Sequence, residues 1–267
     1  MSRTMCRYLK LSSAFSVRLA LMVTVGSVII NQPLSVVAQN IPERWQAQEY
    51  QPPGNIGTPT SLDRGGTRGS RLTSPTAIDR PIALVPTTSN QFGVTVNPYP
   101  SFLIYLPSSS NSQAIQEVEF RLEDGDTGEE IYTSTFKKSA TPGIVTIALP
   151  AEAGLLPLEV NKLYHWSLAI VDDLQETKGE TSGWIKRVEL KSPLSLQLQQ
   201  ASPQEQARLY AEAEIWYDSL AKLAQIYRSR PDDLALASDW QKLLTSAGLE
   251  ELVQASLVRS SLTSANQ

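Results

Sequence analysis

The sequence predicts a mainly β protein in which an antiparallel β-sandwich of the immunoglobulin or fibronectin-III type is followed by a C-terminal helical pair. Two observations support this fold class. Residues 81–190 divide into short stretches of strand character separated by turn residues, and no long amphipathic helix interrupts them. A parallel βαβ architecture would need such helices between its strands. After residue 190 the apolar residues recur at helical spacing instead.

The longest run of strand character lies at residues 158–171. Strand alternation places Tyr164 and Trp166 on one face, so an apolar layer must oppose them. Leu158 precedes Tyr164 across a short polar turn, an arrangement that resembles the tyrosine corner of β-sandwich domains. In that corner a tyrosine hydroxyl bonds back to the backbone a few residues upstream. We therefore predict that the hydroxyl of Tyr164 reaches a backbone group near Leu158.

The complete sandwich prediction has seven antiparallel strands. They lie at residues 82–85, 101–106, 115–123, 129–136, 143–149, 163–171 and 184–190. In the third, apolar Val118, Phe120 and Leu122 alternate with charged residues, which is typical of a strand with one buried face.

The predicted helical pair begins at Ser202, a suitable N-cap followed by proline and, three residues on, by a glutamate. The first helix should run from residue 203 to about 228, with Trp216 on its apolar face. A second helix should carry Trp240 and end near Gly248, with a short third turn after it. One such helical unit cannot close a core alone. We therefore predict that Trp216 and Trp240 are buried, against each other or against the sandwich.

Residues 1–38 have the features of a signal peptide. A basic start without acidic residues precedes an apolar run at 19–30, and small residues then lead to a cleavage site after Ala38. A retained membrane anchor is the alternative, although the apolar run is shorter than the roughly 20 residues that a spanning helix needs. The predicted organisation is a signal peptide at 1–38, a Pro/Gly-rich linker or arm at 39–80, the sandwich at 81–190, a helical hairpin at 191–258 and a flexible tail at 259–267.

Charge and cysteine content exclude several classes of function. The formal net charge of −4 would fall to about −8 on removal of the leader, so the mature chain is unsuited to binding nucleic acid, and no membrane span is expected after that removal. Cys6 is the only cysteine and lies in the leader. The mature chain then has no thiol for a disulfide, a thiolate metal site or a nucleophile.

Within the linker, Arg64 and Arg68 belong to the segment RGGTRG, which invites comparison with a phosphate-binding loop. No strand precedes it, no amphipathic helix follows it, and the Lys-Ser/Thr of a P-loop is missing. We expect a flexible segment, or an arm laid along the sandwich with these two arginines as candidate interaction residues.

No set of residues predicts an enzyme. His165 is the only histidine and lies in the middle of a predicted strand, without the GxSxG motif that could accompany a serine nucleophile. We expect His165 to be an ordinary, non-catalytic histidine on a sheet face.

Two acidic clusters occur at predicted turns. The first spans residues 124–130 from Asp124 to Glu130, and the second contains Asp172, Asp173, Glu176 and Glu180. Paired carboxylates can hydrolyse glycosides when they face each other across a cleft, but these turns lie at opposite ends of the predicted sandwich. The first cluster resembles half of a calcium loop without the glutamate at its twelfth position. We expect both to be solvated turns, with calcium binding at the first as the alternative.

Several segments, in one collinear order, resemble the cyanobacterial family catalogued as domain of unknown function number 928. They are PPGNIG at 52–57, RGGTRG at 64–69, IALVP at 82–86, NPYPSFLIYLP at 97–107, TPGIVTIALP at 141–150, LEVNKLYHW at 158–166, SGWIKRV at 182–188 and YAEAEIWYDSLAKLA at 210–224. The resemblance implies an exported protein without catalytic residues to transfer. Many members carry one cysteine after the GTRG segment and another near the end of the strand at 163–171. This chain has Ser70-Arg71 and Val171-Asp172 there, which implies a replaced disulfide and no redox role.

Two functions follow as hypotheses, and both need no cofactor. The first is an exported, non-catalytic structural or interaction module of the cell envelope, with a protein partner engaged by the helical pair or a sheet face. The alternative is a module that binds carbohydrate or an envelope polymer through exposed aromatic side chains. The candidate aromatics are Trp45, Tyr50, Tyr99 and Trp184.

Overall fold

A computed structural model describes residues 50–52, 78–108, 117–152 and 154–258. The predicted signal peptide at 1–38, most of the linker including Trp45, Arg64 and Arg68, and the tail at 259–267 lie outside the described residues. Position 70, one of the two places where family members carry a cysteine, lies outside them as well.

Two sheets face each other and form the predicted sandwich. The smaller is antiparallel and has the order β1-β3-β6, with β1 at Ile82–Ala83, β3 at Ser101–Leu106 and β6 at Gly143–Ala148. The larger has the order β2-β8-β7-β4-β5. Its members are β2 at Phe92–Thr95, β4 at Glu117–Asp124, β5 at Glu130–Lys137, β7 at Leu163–Val171 and β8 at Thr177–Arg187.

The strand prediction needs two corrections. Strand β2 was not predicted, and it runs parallel to β8, so the five-stranded sheet is not wholly antiparallel. The tetrapeptide of β2 contains Gly93 and is too short to show alternation, which is why the sequence pattern did not reveal it. The last strand begins at Thr177 rather than 184, because β8 follows the whole length of β7 in antiparallel register.

Four α-helices and a 3₁₀ turn follow the sandwich in the described part of the chain, rather than a helical pair. They are α1 at Ser192–Gln200, α2 at Pro203–Glu212, α3 at Trp216–Ser229, α4 at Leu234–Ser246 and the 3₁₀ turn at Glu250–Leu252. The Ser202 hydroxyl accepts a hydrogen bond from the N–H of Glu205, as the capping motif predicts. Asp233 caps α4 in the same way, and Gly248 ends it with a φ of 71°.

The predicted single helix from 203 to 228 is wrong, because the chain breaks between α2 and α3. Glu214 has a φ of 60°, in the left-handed region, and an α-helix cannot continue through it. Phe92 and Val94 of β2 pack against Ile215 and against apolar residues of α1 and α2. Gly93 points the other way, where a Cβ atom would lie 3.2 Å from Trp216 of α3. The chain therefore passes around the free edge of β2, with α1 and α2 on one face and α3 on the other.

The helices are part of the core rather than an appendage. Tyr217 of α3 contacts Phe102 of the small sheet at a ring separation of 5.7 Å, and its hydroxyl bonds to Trp166 of the large sheet. Side chains of both sheets and of α3 and α4 belong to one continuous set of buried residues. Because the small sheet has only three strands, it cannot cover the whole inner face of the five-stranded sheet. Helix α3 covers the part that remains.

Candidate functional site

The corner at Tyr164 has the predicted geometry. The N–H of Glu159 donates to the Tyr164 hydroxyl at 2.7 Å, one residue after Leu158. Leu158 is buried, its N–H donates to the carbonyl of Pro98 at 3.0 Å, and its own carbonyl accepts from the guanidinium of Arg187. Burial raises the pKa of Tyr164 above its ordinary value, so the hydroxyl stays neutral. These bonds fix the entry into β7, which is a structural role.

A chain of hydrogen bonds joins Trp166 to helix α3. The indole N–H of Trp166 donates to the Tyr217 hydroxyl at 2.8 Å, and that hydroxyl donates to the carbonyl of Trp184 at 3.1 Å. Both partners are buried, and burial raises the pKa of Tyr217 well above its usual range. The indole N–H of Trp166 and the Tyr217 hydroxyl are both paired, so this contact between α3 and the sandwich leaves neither group unpaired.

Trp216 and Trp240, predicted on the apolar helix faces, are 0% and 1% exposed. The indole N–H of Trp216 donates to the carbonyl of Leu84 at 2.9 Å, and its ring meets Tyr50 edge-on at 5.3 Å. Trp240 packs near Tyr227 at 6.1 Å. The apolar helix faces therefore contact the sandwich and the segment at Tyr50, and they offer no exposed surface to a partner.

Tyr50 shows that part of the predicted linker belongs to the folded core. It is 3% exposed, its N–H donates to the carbonyl of Ser246 at 2.8 Å, and its hydroxyl donates to the carbonyl of Glu214 at 3.0 Å. Its own carbonyl accepts from the Thr88 hydroxyl. Sequence reasoning placed this residue among the exposed aromatics, because the prolines and glycines around it gave no sign of burial.

An acidic residue that the sequence did not single out connects α3 to β2. One carboxylate oxygen of Asp218 accepts hydrogen bonds from the Thr95 hydroxyl at 2.7 Å and from the N–H of Val96 at 3.1 Å. Burial raises the pKa of this carboxyl to about 6, although both hydrogen bonds and nearby Lys222 oppose that rise. In the sequence, the only sign that Asp218 contacts the core is its position two residues after Trp216, in the first turn of α3.

The two acidic turns are exposed to solvent, as expected, and each is held by one buried aspartate. One oxygen of Asp124 accepts from the N–H groups of Asp126 and Thr127, both at 2.9 Å, while the other pairs with Lys162 at 2.8 Å. These partners hold the pKa of Asp124 well below its usual range, Lys162 first among them. The carboxylate is thus engaged by the protein's own donors.

Asp172 repeats this arrangement at the other end of the sheet. Its first oxygen accepts from the N–H groups of Leu174 and Glu176, and its second pairs with Lys178 at 2.8 Å. The Lys178 contact and the backbone bonds lower the pKa of this carboxyl. Asp124 lies opposite Tyr164 at the start of β7 whereas Asp172 follows the end of β7, so the two carboxylates do not share a cleft. In the described residues no three acidic or histidine side chains come together as a metal site.

His165 lies on the outer face of the large sheet, which we define as the side chains that point away from the sandwich core. Its Nδ1 is 3.5 Å from a carboxylate oxygen of Glu123, and its ring tilts against Trp184 at 4.7 Å. The outer face is polar and mostly half-buried, and α1 and α2 cover its part near β2 and Trp184. Alternation and register place on it Glu117, Glu119, Arg121, Glu123, His165, Ser167, Ala169, Glu180, Ser182, Trp184 and Lys186.

The three candidate aromatics that the structure describes do not form a platform. Tyr50 is buried, and Tyr99 and Trp184 are half-buried on different parts of the sandwich, with the Tyr99 hydroxyl bonded to the carbonyl of Leu155. Across the described ranges, the large apolar side chains that are exposed are all aliphatic. The same part of the chain contains no helix long and apolar enough to cross a membrane.

Comparison with solved structures gives distant relatives. The fibronectin(III)-like modules of CbhA from Clostridium thermocellum match with 16% identity over 38% of this chain and 91% of that chain, at a TM-score of 0.24. Astrotactin-2, described as a conserved vertebrate-specific and perforin-like membrane protein involved in neuronal development, matches with 10% identity at a TM-score of 0.27. That match covers 61% of this chain and 35% of the other. No curated protein matches.

A family model gives the closer relationship. It matches residues 63–257, which include every strand and helix described above. The match covers well over half of the chain, so this protein belongs to the family described as Domain of Unknown Function (DUF928).

Proposed function

We propose that the protein is an exported, non-catalytic module of the cell envelope that engages a protein partner through the outer face of its large sheet. The observation that carries this proposal is the burial of the helical aromatics. Trp216 and Tyr217 are used to fill the sandwich, so the helix faces cannot serve a partner. In the described part of the chain, the outer face of β4, β7 and β8 remains as a polar surface that solvent partly reaches.

The composition of that face favours a protein partner over a glycan. Small side chains at Ser167 and Ala169 lie in the middle of it, with charged side chains of both signs around them. A flat polar surface of this kind suits hydrogen bonding and charge complementarity with another protein. Carbohydrate binding would use stacked aromatic rings, and Trp184 instead lies against His165.

The partner surface can be tested by affinity capture from an envelope extract with the mature protein. Substitution of Glu119→Arg together with Ser167→Arg should abolish capture, because two long cations would interrupt the centre of the outer face. Gln225→Arg, an exposed position on α3, is the matched control and should capture normally. Equal capture by both variants would exclude this surface, and retention on envelope polysaccharide alone would favour the carbohydrate alternative.

Export is tested separately. Residues 1–48 fused to a reporter that needs an oxidising compartment should give activity, and the mature N-terminus should be Gln39. An intact Met1 on membrane-bound protein would instead assign the leader as an anchor.

A further inference from the structure

Each sheet of the sandwich has two edges, and at three of the four a specific contact engages the edge strand or the residue beside it. At β1 the N–H of Ala83 donates to the Thr181 hydroxyl of β8 at 3.0 Å. At β2 the carboxylate of Asp218 accepts from Val96, the residue that follows the strand. These contacts occupy backbone donors that would otherwise be free to pair with another chain.

The third covered edge is that of β6. The C-terminal segment runs parallel to it, with Leu257 beside Ile144. The N–H of Ile144 donates to the carbonyl of Ser256 at 2.8 Å, and the N–H of Val258 donates to the carbonyl of Ile144 at 2.9 Å. A Cβ atom at Gly143 would lie 2.7 Å from the carbonyl oxygen of Ser256, so glycine permits this close approach.

The fourth edge, β5, has no such cover among the described residues. It pairs with β4 along its length, and no segment from the described ranges lies on its other side. It is eight residues long, contains no proline, and carries β-branched and aromatic side chains that favour strand pairing. Within the described ranges this long edge is unpaired, and its composition is suited to intermolecular pairing.

The side chains of β5 are complementary to a second copy of the same strand. The register shift between β4 and β5 places Ile131 and Tyr132 against the core, and it leaves Glu130 on the outer face. Thr133, Thr135 and Lys137 share that face by alternation. The exposed row of β5 thus begins with an anion and ends with a cation, with two threonines between them.

We propose that two copies of this chain pair antiparallel through β5, about a two-fold axis at Ser134. In that register Thr133 of each copy lies opposite Thr135 of the other, and Glu130 lies opposite Lys138, next to Lys137. On the core side Tyr132 lies opposite Phe136. A shift of two residues in either direction separates Tyr132 from Phe136, so this aromatic pair favours the register described. The five-stranded sheets of the two copies then form one continuous sheet of ten strands.

The dimer does not depend on the proposed partner or on export. Pairing through one edge strand buries a small interface, so we expect a dissociation constant on the order of micromolar. Sedimentation of the purified chain over about 1–200 µM should show a reversible monomer–dimer equilibrium. A chain that stays monomeric throughout this range would refute the proposal.

Two variants with the same number of substitutions test the register. T133K/T135K places a lysine opposite a lysine twice across the two-fold axis and should weaken the dimer about tenfold or more. T133E/T135K instead places a glutamate opposite a lysine twice and should dimerise at least as well as the unmodified chain. Circular dichroism of each monomer checks that both variants fold. Equal dimerisation by the two variants, or loss of the dimer in both, would overturn the pairing described here.

Discussion

The hydroxyl of Tyr164 holds the turn before β7 in place. It accepts the N–H of Glu159, a backbone donor that lies beside buried Leu158. A backbone donor in such a place costs free energy if it has no acceptor. The hydroxyl therefore has a local, structural role, and its contribution to stability can be measured by replacing Tyr164 with phenylalanine.

We expect Tyr164→Phe to lower the free energy of unfolding by about 1–2 kcal/mol, since the N–H of Glu159 loses its acceptor while the ring remains in place. Urea unfolding measures the change. Tyr227→Phe is the matched control, because the Tyr227 hydroxyl makes no hydrogen bond within the part of the chain that the structure describes. A Tyr164→Phe variant as stable as this control would show that the hydroxyl contributes nothing.

Asp218 makes stability depend on pH in a definite direction. Burial raises its pKa in the folded state from 3.8 to about 6, so between these values the folded chain binds more protons than the unfolded chain. Its contribution to stability is therefore full below pH 3.8 and is lost as the pH rises through about 6. Asp124 and Asp172 have lowered pKa values and act oppositely, since their contribution is lost as the pH falls below 3.8.

We expect Asp218→Asn to remove the decline in stability between about pH 4 and 6, because the amide cannot ionise but its oxygen can still accept from Thr95 and Val96. Unfolding in urea at several pH values measures the slope. At pH 7 the variant should be at least as stable as the unmodified chain. A large loss of stability at pH 7 with the slope retained would mean that the folded protein depends on the ionised carboxylate.

At the scale of elements, helix α3 joins the two sheets. Trp216 contacts the segment at Tyr50 and bonds to Leu84, while Tyr217 reaches Trp166. The break at Glu214 directs α3 to the inner face of β2, while α2 remains on the outer face. A continuous helix would have missed one of these two surfaces.

We expect Trp216→Ala to lower the free energy of unfolding by about 3–5 kcal/mol, because the truncation leaves a cavity between α3 and the sandwich and an unpaired carbonyl at Leu84. Denaturant unfolding followed by circular dichroism measures the loss. Leu196→Ala on α1 is the control, since Leu196 is 60% exposed and its truncation should change stability by less than about 0.5 kcal/mol. Similar values for the two variants would mean that α3 contributes little to the core.

At the scale of the whole molecule, the described fold is a two-sheet β-sandwich completed by C-terminal helices. The three-stranded sheet is too narrow to cover the five-stranded one, and helices, a C-terminal segment and Tyr50 supply what is missing. These contributions come from distant parts of the chain, so the core closes only when the chain is folded as a whole. Among the described residues, the same packing leaves the edge of β5 unpaired.

Local patterns determined much of this protein in advance. Strand patterns identified seven of the eight strands closely or in part, the turn before Tyr164 indicated its hydrogen bond, and helical spacing indicated that Trp216 and Trp240 are buried. Each of these features depends either on residues close in sequence or on the division of a strand or helix into a polar and an apolar face, which the order of residue types shows directly.

Tertiary structure alone decided the parallel strand β2, the break at Glu214, the burial of Tyr50 and the raised pKa of Asp218. Each arises from contact between segments that are far apart in sequence. A tetrapeptide becomes a strand because β8 supplies its hydrogen-bonding partner, and a helix breaks because the chain must pass the edge of that strand. Propensity and periodicity report only the conformation that a segment favours by itself. These four features depend instead on the other segments against which each residue packs.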